Sequence, residues 1–313
     1  MLIKNNPKAS SKRFIEPLNV KQALVGLELE KSDDAVIKYF NFFTTQVPVA
    51  AAYFMHVIQQ DELIAELYKK ENLPLTDHYN IDDSIIKKME ERIDDLFTQK
   101  KDIYVEYDVK DGSPLEEMLA TATALKIDLL VIGQKAYKAN HNILAKNMAR
   151  KTTANALIIP EGAQRDISNI LVPIDFSPNS VRALQTAISL HKQLKIPAQI
   201  TCLNVYTIPS LKHFKLDAAW IQTKKTVESN IRDGFAAFLE SYAGDYKNQV
   251  EVALVEKTQP GIAKYIMDYA SENNCDFLCL GAKGHSNVHL LLMGSVAEEV
   301  LDVNVSIPTM IVK

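Results

Sequence analysis

Cysteine is scarce. The 313 residues hold three, Cys202, Cys275 and Cys279, too few for a disulfide framework and unable all to pair with one another. Cys202 and Cys279 stand inside apolar, strand-like runs, so we read the thiols as reduced and the protein as cytoplasmic. Neither sign of charge dominates: 35 Lys+Arg against 39 Asp+Glu leave a net charge of −4. With no basic stripe and no interleaved aromatics, nucleic acid is not an expected partner. No apolar run approaches the length of a membrane span. Met1-Leu2-Ile3-Lys4-Asn5-Asn6 lacks the apolar core of a signal peptide, so no membrane partner is expected either. The single tryptophan, Trp220, opens an amphipathic stretch and reads as packing. What remains is ordinary globular material, 47% apolar and 24% charged, long enough for two domains.

The chain is a repeat. Shifted by 148 residues, Asp128-Leu129-Leu130-Val131-Ile132-Gly133 falls on Asp276-Phe277-Leu278-Cys279-Leu280-Gly281, and His56-Val57 falls on Asn204-Val205. Shifted by 147, Leu24-Val25-Gly26-Leu27-Glu28 falls on Leu171-Val172-Pro173-Ile174-Asp175. One long unit present twice means two similar domains rather than a solenoid. The proline, glycine and charges of residues 160–166 suit a linker. We therefore expect a leader over 1–20, one domain over 21–163 and another over 164–313. The leader is polar and slightly basic, either mobile or an extra docking strand.

Within the second repeat the pattern alternates. Asn169 to Ile174, Ala198 to Val205, Val250 to Val255, the run before Gly281, and Thr309 to Val312 read as strands. Between them lie helical stretches. One starts at Ser177 as N-cap with Pro178 in the first helical position and continues through Leu184, Ile188 and Leu194. The next runs from Trp220 to Ala243, with Ile221, Val227, Ile231, Phe235 and Phe238 on or near one face, and another from Gly261 to Asn273. Strands separated by helices imply an α/β fold with a parallel sheet flanked by helices, and ligands in such a sheet bind beyond the carboxyl ends of its strands.

Three features of the second repeat converge at that edge. Asp175 follows the first strand, Val205 ends the second, and Gly281-Ala282-Lys283-Gly284, nine residues and Gly294-Ser295 follow the fourth. A carboxylate at a strand end accepts hydrogen bonds from a base or ribose, and Val205 supplies an apolar wall. Gly281 and Gly284 would let backbone approach a ribose and phosphates without a Cβ in the way. Gly294 and Ser295 open a helix whose free N–H groups favour phosphate oxygens. The spacing is neither the Walker pattern nor the dinucleotide fingerprint, and points to a mononucleotide. Lys283 and His285 flank the loop, where solvation is as good an account as phosphate contact. Cys275 with Cys279, and His285 with His289, have spacings seen at metal sites. No further ligands accompany them, and no metal is assigned.

This second repeat resembles a universal stress protein domain of the ATP-binding type, whose mark is Gly-x2-Gly-x9-Gly-Ser/Thr. The likeness includes Pro173, Asp175 and Ser177, then Val205, and the closing Ile307-Pro308-Thr309-Met310-Ile311-Val312. As a tandem pair it extends over the whole chain. The resemblance implies two Rossmann-like domains of the adenine nucleotide alpha hydrolase type, each a five-stranded parallel sheet flanked by helices. It implies ATP, with Mg²⁺, held by Pro173, Asp175, Val205, Gly281, Gly284, Gly294, Ser295 and Val296. It also implies pairing of domains through the last strand of each sheet, and a role in stress response.

The first repeat departs from the motif. Gly133 is kept, but Ala136 stands at the place of Gly284, Lys146-Asn147 at that of Gly294-Ser295, and Glu28 at that of Asp175. Side chains would stand where backbone must approach phosphate, although Lys146 could neutralise one. The expectation is a pseudo-partner that does not bind ATP in the usual way and imitates a dimer within one chain. The leading reading is a nucleotide-dependent regulatory protein with an unidentified protein partner, homodimerisation being open. A slow ATPase or phosphotransferase is the second, though no residue offers itself as catalytic base. A nucleotide-free scaffold is the third.

Overall fold

The structure, a computed structural model, describes residues 15, 17–59, 78–135, 142–208, 217–283 and 293–313. The first half runs β1 (Val20–Leu27), α1 (Asp33–Thr44), β2 (Val49–Ile58), α2 (His78–Leu96), β3 (Tyr104–Asp111), α3 (Pro114–Ala124), β4 (Leu129–Gln134), α4 (Asn142–Lys151) and β5 (Asn155–Pro160). The second repeats the order: β6 (Asn169–Pro173), α5 (Pro178–Gln193), β7 (Gln199–Tyr206), α6 (Asp217–Tyr242), β8 (Val250–Glu256), α7 (Ile262–Glu272), β9 (Phe277–Gly281), α8 (Ser295–Val303) and β10 (Thr309–Val312). Strands expected in the second repeat are found within a residue or so of their expected bounds. No described helix is long and apolar enough to cross a membrane.

The ten strands of the described residues form one sheet in the order β3-β2-β1-β4-β5-β10-β9-β6-β7-β8. Within each half every neighbouring pair is parallel, and the order reverses between β1 and β4 and again between β6 and β9. The halves meet at β5 and β10, which pair antiparallel through Ala156↔Ile311, Leu157↔Met310 and Ile158↔Thr309. Side chains alternate across this seam. Leu157, Ile159, Met310 and Val312 join the core under α1, α2, α5 and α6. Ala156, Ile158 and Ile311 join the core under α3, α4, α7 and α8. Each apolar layer thus runs through both halves, and the seam is as dry as the centre of either half.

The repeat is physical as well as textual. Asp128 accepts from Lys21 N and Gln22 N at 2.9 and 3.0 Å, while Asp276 accepts from Ser168 N and Asn169 N at 2.9–3.0 Å. Each carboxylate ties down the start of the neighbouring first strand, whose N–H groups would otherwise lack partners. Leu29 and Phe176 both adopt left-handed φ, 60° and 62°, as do Lys126 and Asn274, at 51° and 52°. Such residues cost roughly 1–2 kcal/mol each when they are not glycine, so the same sharp turns are imposed at matching places in both halves.

Most of the expected leader lies outside the described residues. Its described end rests on α5, where Lys192 Nζ donates to Ile15 O at 2.7 Å and Gln193 Nε2 to Leu18 O at 2.6 Å. Phe235 and Phe238 of α6 are buried as expected, but Ile221, near the start of the same helix, is 52% exposed.

Candidate functional site

Pro173 ends β6, and Ile174 N donates to Leu203 O at 2.8 Å, which carries the chain past the carboxyl edge before it turns. The turn is made at Phe176, whose ring packs edge-on against Phe235 and Phe238. Ser177 then caps α5, its hydroxyl accepting from Ser180 N at 3.3 Å with Pro178 in the first turn, which satisfies one of the helix's orphan donors. Asp175 Oδ1 accepts from Ser177 N at 3.0 Å. From β7, Asn204 Nδ2 donates to Ile174 O at 2.8 Å, fixing the strand end that presents Asp175.

These elements open a cavity of about 310 Å³ at the switch in strand order between β6 and β9. Its wall includes Pro173, Asp175, Val205, Gly281, Gly294, Ser295 and Val296, seven of the eight residues picked from the sequence. The eighth, Gly284, lies outside the described residues, as do His285 and His289. Ser180, Asn204, Ile262 and Ile266 also line it, and sequence reasoning did not select them. Asn204 carried the available signal, a polar residue closing an apolar strand. The α7 isoleucines carried none beyond helical periodicity.

The chemistry of the wall is divided. Val205, Ile262 and Ile266 make an apolar side, suited to a flat ring. Across from them α8 begins at Ser295, and the N–H groups of its first turn have no carbonyl within the helix to bond. Lys283 adds a cation at that end. It lies close enough to Lys313 that, after burial, it is the second cause holding the Lys313 ammonium down to about 8.

Two glycines acquire different reasons. A Cβ on Gly281 would stand 2.8 Å from the backbone of Asn179, and one on Gly133 would stand 2.8 Å from Val36 Cγ2. Each glycine lets the first turn of the helix on the far face, α5 or α1, pack down on the sheet. This gives both glycines a packing reason that does not depend on a ligand. Gly294 has φ −68° and ψ 148°, extended backbone that any residue adopts.

The first half diverges further than its motif suggested. Lys146 turns away from the strand edge, and its Nζ meets Asp302 Oδ1 of α8 at 2.5 Å; it does not stand ready for a phosphate. Arg150 pairs with Glu298 at 2.6 Å. Two of the three α4 cations, Lys146 and Arg150, are therefore used to dock the halves. Glu28 is held by Lys135, which also meets Glu30 at 2.7 Å.

Residues 167–313 match the model of the universal stress protein family. A universal stress protein of Methanocaldococcus jannaschii is 22% identical over 144 residues, 46% of this chain and 81% of that protein. Among solved structures, a universal stress protein from Archaeoglobus fulgidus is similar at a TM-score of 0.60 and 17% identity, covering 93% of this chain and 98% of its own. A functionally unknown protein from Pseudomonas aeruginosa is similar at 0.59 and 14%, covering 94% and 92%. At such identities the solved structures bear on the fold, which they share across both halves.

Proposed function

We propose that residues 167–313, a universal stress protein domain, bind ATP in the cavity between β6 and β9 and that the protein acts as a nucleotide-dependent regulator in the cytoplasm. The observation that carries this reading is the cavity wall. Residues scattered from Pro173 to Val296 line one space, apolar on one side and rich in donors on the other. The base would lie against Val205, Ile262 and Ile266. The ribose would reach the carboxylate of Asp175, already oriented by Ser177 N. The phosphates would meet the first turn of α8 and Lys283, where free N–H groups and the helix dipole favour negative charge. Mg²⁺ would accompany the triphosphate and take its ligands chiefly from phosphate oxygens and water. The first half, divided from the second near residues 160–166, would take no ATP and would serve as an internal partner through β5 and β10.

Binding selective for one state of the protein would shift its stability or a partner surface by mass action. The test is to denature the purified protein and identify any released nucleotide by mass and molar ratio. About one ATP or ADP per chain supports the reading. No released nucleotide, together with no thermal shift on adding Mg-ATP, would end it.

A further inference from the structure

The first half has a cavity of its own at the matching strand edge, between the carboxyl ends of β1, β2 and β4. At about 480 Å³ it is larger than the one in the second half, and both volumes suit a small molecule. Val36, Met55, Met118, Ile132 and Leu144 supply an apolar lining. The polar groups among them share one character.

Asp33 is 3% exposed. Its Oδ1 accepts from Glu28 N at 3.2 Å, and its Oδ2 has no partner among the described residues. Gln134 is 4% exposed. Its Nε2 is committed to Leu301 O and Asn304 O at 2.5 and 2.9 Å, which fixes the amide's orientation and leaves Oε1 without a partner among the described residues. His56 Nδ1 lies 2.9 Å from Leu27 O. A carbonyl can only accept, so that nitrogen carries a proton, and in the Nδ1–H tautomer Nε2 is an acceptor. All three residues line the cavity, and two buried acceptors among them, Asp33 Oδ2 and Gln134 Oε1, have no partner among the described residues. Buried acceptors without donors are costly and uncommon in folded proteins.

The charges agree. Among the described lining residues, Glu28, Glu30, Asp33 and Glu161 stand with one ammonium, Lys135, which is already engaged by Glu28 and Glu30, while Arg92, which also acts on Asp33, is paired with Asp34. An anion is refused twice over. The first turn of α1 is occupied by the chain's own Asp33 and Asp34, and Lys146 is spent on Asp302.

We propose that this cavity is a second ligand site, specific for a small organic cation that carries protonated amines on an apolar stem. The amines would donate to Asp33, Gln134 and His56 while the stem lies on Met55, Met118 and Leu144. The two halves would then be differently charged receptors on one sheet, joined through Gln134, which lines the first cavity while bonding the end of α8.

Isothermal titration of the full chain with spermidine tests this, with the variants Asp33→Asn, Leu144→Trp and Gly294→Lys in parallel. Saturable binding of one spermidine per chain is expected. It should weaken about tenfold or more in Asp33→Asn, the size of one lost hydrogen bond to a charged group. It should be lost in Leu144→Trp, which fills the cavity without touching its charges, and unchanged in Gly294→Lys. Circular dichroism checks that each variant is folded, and if Asp33→Asn is not, Leu144→Trp decides. Absent or unsaturable binding in the wild type, equal binding in Asp33→Asn and Leu144→Trp, or displacement of spermidine by Mg-ATP would each overturn the proposal. Failure of ATP binding at the other cavity would leave these results unaffected.

Discussion

Asp33 should weaken the protein at neutral pH. Burial lifts its carboxyl from 3.8 to about 6, against the opposing pull of the Glu28 N–H and the Arg92 guanidinium. The difference of about two units corresponds to roughly 3 kcal/mol. The folded state holds this proton more tightly than the unfolded chain does. The resulting stabilisation is complete below pH 3.8 and lost as the pH rises through about 6. Above that, the protein carries a buried carboxylate held by the Glu28 N–H and eased by the Leu29 N–H, its Oδ2 without a well-formed hydrogen bond among the described residues. Asn in its place keeps the shape and an acceptor for Glu28 N, and never ionises. Asp33→Asn should therefore raise the unfolding free energy at pH 7.5 by as much as roughly 3 kcal/mol, with the gain shrinking towards zero near pH 4. Paired urea denaturation curves of wild type and variant across this range read the difference directly, and other titrating groups cancel. A variant less stable than wild type at pH 7.5, or a gain that does not vary with pH, would refute the reasoning. A group that costs stability in the empty protein and would recover it against a bound ammonium fits a binding residue better than a structural one.

Other consequences follow from the packing. Gly281→Ala places a methyl 2.8 Å from the Asn179 backbone and should lower stability by about 1–3 kcal/mol. Gly133→Ala meets only the Val36 side chain and should cost less; thermal denaturation of the two variants ranks them. Asn304 is fully buried, donates to Ile307 O and Thr309 Oγ1 and accepts from Ile307 N. Asn304→Ala should cost about 2–3 kcal/mol through the groups it leaves unpaired, and hydrogen exchange should quicken along β10, beside the seam. Modification of Cys202 by a maleimide should require unfolding, because burial pushes its thiol up to about 12 and away from solvent.

Much of this fold was legible because the features that mark it are local. Ser177-Pro178 caps a helix through contacts within three residues, and an apolar run ending in a polar residue marks each strand edge. The spacing of the repeat survives because Asp128 and Asp276 each anchor a neighbouring strand. Asp175, Val205, Gly281, Gly294 and Ser295 of the second cavity were legible for the same reason, each lying at or beside a strand or helix end, whereas Pro173 and Val296 were reached through the family resemblance. What escaped depends on contacts distant in sequence. The sheet-to-sheet seam was reached through family resemblance alone, since Ala156-Leu157-Ile158-Ile159 is apolar on both faces and specifies neither partner nor direction. The reason for Gly281 lies in Asn179 on another element. Lys146 looked available until α8 brought Asp302 to it. The missing glycines of the first repeat speak only against ATP bound in the usual way and leave other ligands open, because Asp33, His56 and Gln134 come from three separate elements and become a set only once β1, β2 and β4 lie side by side.

Titration of the full chain with Mg-ATP, for wild type and Gly294→Lys together, bears most directly on the proposed nucleotide site. Residue 294 has a backbone conformation open to lysine, so the variant should fold as the wild type does. One ATP bound per wild-type chain and none by the folded variant is the predicted result. Equal affinity in both, or two ATP per chain, would contradict it.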